Sequence, residues 1–98
     1  MKTIYIAGKV SGLSPIQSYG NFMRCQYKVE HLSEDYRVIN PVSLCKSSWP
    51  WWLCMVKCLF HLICKADAIY MQHNWQDSRG AKIEYKVAKI LGKEVWYE

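Results

Sequence analysis

The sequence predicts a three-layer α/β/α domain built on a four-stranded parallel sheet, with the strands in the order 2-1-3-4. Three observations lead there. Short β-branched and aromatic runs alternate with amphipathic stretches; each run is closed by a glycine, a proline or a polar turn; and 98 residues suit one core rather than two. Strand and helix in strict alternation favour right-handed crossovers, which put helices on both faces of the sheet.

Thr3 to Ala7 (TIYIA) has the composition of a buried parallel strand and stops at Gly8. After the turn KVSGL, Ser14 and Pro15 supply an N-cap and a first-turn proline. Tyr19, Phe22, Met23, Gln26, Val29 and Leu32 then recur at helical spacing, extending a first helix to about Ser33. Tyr36 to Asn40 is a short second strand that Pro41 must end, and a loop is expected through Pro50. Trp51 to Lys65 reads as a second helix with two apolar faces, Leu53, Val56, Phe60 and Ile63 on one and Trp52, Met55, Leu59 and Leu62 on the other. Such a helix is buried on both sides or sits at a subunit interface, so a homo-oligomer through it is expected. Ala66 to Gln72 is a third strand, His73 to Asp77 a loop, and Ser78 to Leu91 a third helix stopped by Gly92. Glu94 to Tyr97 closes the sheet. In flavodoxin- or Rossmann-like sheets ligands bind beyond the carboxyl ends of the strands where the order reverses, here Tyr5 to Gly12 together with His73 to Glu84.

Composition narrows the partners. A net charge of +5 and a pI near 9.0 bias the chain towards anions. The Lys and Arg residues are nevertheless scattered, without the stripe that tracks a nucleic-acid backbone, so nucleic acid is not the expected partner. Five cysteines, an odd number with no C-x-x-C pair, argue for reduced thiols and a cytoplasmic protein. Met1 to Gly12 lacks the pattern of a secretory signal. Trp49 to Cys64 is interrupted by Lys57 and His61 and falls short of a membrane span, so no membrane role is expected.

The stretch from His73 to Glu84 (HNWQDSRGAKIE) carries the most chemistry. Ser78 can cap the third helix and Gly80 lets a ligand approach the backbone, so free amides and the helix dipole favour an anion there. Glu84 lies close to two turns inside, where its carboxylate can face the crevice. From spacing alone, a simple cap and a solvated glutamate account for the pattern as well. Cys54, Cys58, His61 and Cys64 share a helix face, but one helix cannot wrap a tetrahedral ion, so buried thiols and no metal are expected. Trp49, Trp51 and Trp52 flank a proline as packing anchors, whereas Trp75, in the loop beside Ser78, is placed to stack on a base.

The segments Y5-I-A-G8, N40-P41, W49-P-W-W52, C64-K-A-D-A-I-Y70 and W75-x-x-S78-x-G80-A81-x-x-E84 occur in this order in an uncharacterised bacterial and phage family, which resembles a compact branch of the nucleoside 2-deoxyribosyltransferase superfamily. The resemblance spans nearly the whole chain. It implies that Glu84 is the nucleophile that attacks C1' of a deoxynucleoside sugar, with Tyr5 orienting the carboxylate. A packed strand tyrosine is the alternative for Tyr5. Members that hydrolyse nucleoside 5'-monophosphates carry serine where this chain has Ser78, and with Gly8, Lys9, Arg79 and Gly80 nearby this implies a phosphorylated ligand. No cofactor is implied.

Two departures stand against turnover. The superfamily's helix-two aspartate, which assists the departing base, falls at Leu59, and leucine transfers no proton. Cys58 or His61 is the neighbour that could stand in. Larger members also send C-terminal segments into a neighbouring subunit's site, a contribution not expected of a sequence that stops at Glu98. A non-catalytic module that senses or sequesters a nucleotide is therefore the rival to an N-glycosidic-bond hydrolase or transferase. Asp67, at the amino end of the third strand, is expected to be structural.

Overall fold

The computed structural model describes residues 2–10, 12–32, 35–45 and 48–98. Its central sheet is parallel throughout and ordered β2-β1-β3-β4, where β1 is Lys2–Ala7, β2 Tyr36–Ile39, β3 Ala68–Met71 and β4 Glu94–Tyr97. Tyr5 pairs with Ile39 on one side and Ile69 on the other, and Ala7 sits opposite Met71. The expected order and the expected three layers are both present.

Helix α1 (Pro15–Glu30) covers one face and α3 (Trp51–Lys65) and α4 (Arg79–Ile90) cover the other. The period-two alternation of β1 decides which residue meets which layer. Ile4 and Ile6 pack with Phe22, Cys25 and Val29 of α1, while Tyr5 and Ala7 point the opposite way, among Cys58 and Leu62 of α3 and Ala81 and Ala88 of α4. The central strands are thus buried on both sides, which is why their sequences read as continuous apolar runs.

Local chemistry sets the ends of the helices. Ser14 and Gln17 form a reciprocal capping box before Pro15, and the Ser78 hydroxyl accepts from the Ala81 amide at 3.2 Å. Gly92, at φ 72°, takes the left-handed conformation that lets the chain leave α4. Helix α1 ends at Glu30, and the expected end at Ser33 lies outside the described residues, as does Ser11 of the first turn. Asp67 accepts from the Thr3 amide at 2.8 Å at the amino end of β3, a structural contact at the sheet's far rim.

Three expectations need correction. The segment after Pro41 is not all loop: α2 (Pro41–Leu44) forms because Pro41 suits the first helical position and Asn40 caps it, its Oδ1 accepting from the Val42 amide at 3.0 Å. This turn brings Cys45 back to the start of α3, where it is disulfide-bonded to Cys54, so the thiols are not all reduced. Cys25, Cys58 and Cys64 are free, and Cys64 is exposed rather than buried. Finally, of the two placements expected for α3, burial on both sides does not hold, because the helix is covered on one side only. Cys58 and Leu62 are buried, while Trp52, Val56, Phe60 and Ile63 stand 62%, 58%, 56% and 46% exposed in one line along its outer face. No helix among the described residues is long and apolar enough to cross a membrane.

At the end of β4 the Glu98 carboxylate accepts from Arg24 through both oxygens, from Lys28, and from the backbone and ring of His73. Burial alone would raise its proton affinity, but these donors outweigh it and hold the group well below the usual carboxylate range. The contact fastens the sheet's edge to α1.

Candidate active site

After β1 the chain turns towards α1 on one face of the sheet, and after β3 it turns towards α4 on the other. The two loops therefore part, and a crevice opens between the carboxyl ends of the strands. Asn74 Oδ1 accepts from the Lys9 amide at 3.1 Å and ties the loops together just beyond the strand ends. A cavity of about 530 Å³ lies at this position. One wall comes from Tyr5, Gly8 and Val10, the opposite wall from Asp77 to Ala81 and Glu84, and a third from Trp51, Cys54, Met55 and Cys58 of α3.

Glu84 faces inward because it shares a helical stripe with Ala81 and Ala88, all three buried against the sheet. It is only 6% exposed, and its Oε2 accepts a hydrogen bond from the hydroxyl of Tyr5, which is itself fully buried. Burial pushes the Glu84 carboxyl up from 4.5 to about 8, while the Tyr5 hydrogen bond works in the opposite direction. Tyr5 is held well above its ordinary value by burial first, and then by the Glu84 charge and the neighbouring Cys58. Around neutral pH the cavity thus presents a neutral carboxyl bonded to a neutral phenol. Such a carboxyl is a proton donor as it stands and becomes a nucleophile once ionised.

Several residues singled out in the sequence come together here and others do not. Gly8, Ser78, Arg79 and Gly80 line the cavity with Tyr5 and Glu84. The Arg79 guanidinium lies over the Trp51 ring, 4.4 Å from its centroid, which keeps a cation at the rim. Gly8 is required by packing, since a Cβ there would run into the side-chain amide of the fully buried Gln72. Gly80 makes room first for α3 rather than for a ligand: a Cβ would meet Met55 Sδ at 3.1 Å. Lys9 contributes its backbone amide to the loop tie and is not among the cavity walls.

Trp75 is not a cavity residue either. It lies in a 3-10 turn (Trp75–Asp77), stacks on Tyr85 with centroids 4.7 Å apart, and lines a separate shallow depression with Gln76, Lys82 and Lys86. The turn carries the tryptophan over the outer face of α4, and the two sets of lining residues share no member.

Of the two proposed stand-ins for the missing helix acid, Cys58 lines the cavity beside Tyr5, whereas His61 makes an edge contact with Phe60 and stays outside it. Leu59 packs against the core and is not a cavity wall. The wall also includes Asp77, within the expected crevice segment, and Trp51, Met55 and Cys54 of α3, which sequence reasoning did not assign to the site. For α3 a signal existed: Trp51, Met55 and Cys58 recur at the spacing of one helix face.

One family pattern, described as Domain of unknown function (DUF4406), matches residues 2–97. No curated protein and no solved structure matches the chain.

Proposed function

The chain belongs to this DUF4406 family over almost its whole length, and we propose that it cleaves or transfers at the N-glycosidic bond of a deoxynucleoside or its 5'-monophosphate. The observation that carries the reading is the Tyr5–Glu84 pair, a buried carboxyl with its own hydrogen-bond donor at the wall of a cavity. In its ionised form Glu84 attacks C1'. The bond from C1' to the base nitrogen breaks as the bond to the Glu84 oxygen forms, and the departing electron pair stays on the base, which takes up a proton from water. Water or a second base then attacks C1' and releases Glu84. Tyr5 holds the carboxylate in line. Positive charge growing on the sugar favours the ionised form, offsetting the desolvation that burdens it before substrate enters.

Ser78, Arg79 and Gly80, at the start of α4, are the residues suited to a 5'-phosphate or the sugar hydroxyls. The reaction as written uses no cofactor, and a cytoplasmic setting fits such substrates. The exposed apolar line of Trp52, Val56, Phe60 and Ile63 supports a homo-oligomer through α3, which light scattering of the wild type beside Phe60→Glu tests.

A second reading, a binding module that holds a nucleotide without turnover, draws on the position of Leu59, which supplies no acid to the cavity. Incubation with each deoxynucleoside and each 5'-monophosphate, followed by chromatography for free base, separates the two. Base release that disappears in Glu84→Ala supports catalysis. Saturable binding with no release supports the module, and neither binding nor release overturns both.

A further inference from the structure

Three sulfurs meet at the wall of the cavity. Cys45 follows α2, Cys54 and Cys58 lie one turn apart on α3, and their Sγ atoms all fall within 4.8 Å of one another. Cys45 and Cys54 are bonded, and the free Cys58 Sγ stands 3.7 Å from the first and 4.0 Å from the second. A disulfide alone accounts for two of them. It gives no reason for a third, unoxidised thiol held against both partners.

A thiophilic ion gives one. Zinc binds thiolates at about 2.3 Å in a tetrahedron, which sets neighbouring sulfurs about 3.8 Å apart. Two of the three sulfur-to-sulfur edges already have about that length. Only the third, closed by the Cys45–Cys54 bond, has to open. The objection that one helix cannot surround an ion does not apply, because Cys45 approaches from a different element. Cys54 and Cys58 also line the cavity, so a fourth position on that side is open to water.

We infer that Cys45, Cys54 and Cys58 form a three-thiolate site for a zinc-like ion in the reduced protein, and that the ion and the Cys45–Cys54 disulfide exclude each other. A dithiol reductant breaks the disulfide by giving up two electrons and two protons, and closes into its own disulfide. The ion then forms three metal–sulfur bonds and releases the three thiol protons, with water completing the shell. Because protons are released, binding tightens as pH rises. This assignment does not rest on the proposed reaction at Glu84, although Cys58 lies beside Tyr5 in the same cavity.

Co²⁺ added to the reduced, desalted chain under anaerobic conditions is the probe. One ion per chain with thiolate-to-cobalt charge-transfer absorption is expected, bleached by added Zn²⁺ and unchanged in the Cys25→Ser/Cys64→Ser variant. The oxidised chain is expected to bind none. Cys58→Ser is expected to bind over about 100-fold more weakly, since even partners outside the ligand shell are worth about 10–100-fold. Should that variant fail to fold, alkylation of the reduced wild type reads the same point: Zn²⁺ shields Cys45, Cys54 and Cys58 together and leaves Cys64 reactive. No uptake by the reduced chain, uptake unaltered in a folded Cys58→Ser, or shielding that omits any of the three overturns the site.

Discussion

Replacing Glu84 by glutamine tests the electrostatics of the cavity without reference to any substrate. The substituted amide keeps the shape and can still accept from Tyr5, but it cannot ionise. In the wild type the folded chain holds the Glu84 proton up to about pH 8, whereas the unfolded chain releases it near 4.5. Between those values the folded state binds more protons than the unfolded state, so this residue's contribution to stability falls as pH rises. At about 1.36 kcal/mol for each tenfold difference in proton affinity, the whole span amounts to about 5 kcal/mol, of which about 4 kcal/mol is lost between pH 5 and pH 9. Other titrating groups act equally on both proteins and cancel in the difference. Urea denaturation at pH 5, 7 and 9 should therefore show Glu84→Gln gaining on the wild type by about 4 kcal/mol across the series, a relative midpoint displacement of about 2–4 M at a typical slope. A difference that stays constant within about 1 kcal/mol would mean that Glu84 is already ionised when folded, and the account of a neutral carboxyl at rest would fail.

Three further outcomes follow from the same site. If ionised Glu84 is the nucleophile, kcat/KM for base release rises with pH and levels off above about 8, and a profile that falls over that range assigns the residue to proton donation instead. Tyr5→Phe removes the bond that lowers the Glu84 proton affinity, so the rise moves to still higher pH and release drops about 100-fold through lost positioning; a superimposable profile refutes the pairing. Gly8→Ala drives a methyl into the Gln72 amide, whose Oε1 and Nε2 have no hydrogen-bond partner among the described residues, and should cost about 1–3 kcal/mol in denaturant unfolding, whereas a neutral effect would show that this packing yields freely.

The layers were legible because local signals agreed. Gly8, Pro41 and Gly92 punctuate the chain, and continuous apolar strands admit only a sheet covered on both sides. The distance from the Ser78 cap allowed Glu84 to face inward but fitted a solvated residue as well, and only the family resemblance favoured the buried position that α4 gives it. What escaped depends on contacts between residues distant in the chain. Cys45 meets Cys54 directly after the short turn of α2, and four residues are too few to announce a helix by periodicity. Trp75 looked like a stacking residue from its place beside Ser78, yet a single 3-10 turn rotates it onto Tyr85. The apolar residues of α3 were legible, but sequence could not say which of them the sheet would claim: Trp52, expected on the face of the buried Leu62, stands exposed with Val56, Phe60 and Ile63.

The partners in the buried pair lie 79 positions apart, one in the first strand and the other in the last helix. On a translating ribosome Tyr5 emerges well ahead and must wait for α1, β2, α2, α3 and β3 before its hydroxyl meets Glu84. No nascent fragment that stops short of α4 possesses the carboxyl at all. Any chemistry at this cavity is therefore withheld until synthesis has passed that helix, and a prematurely terminated product would be inert however well its first layer had collapsed.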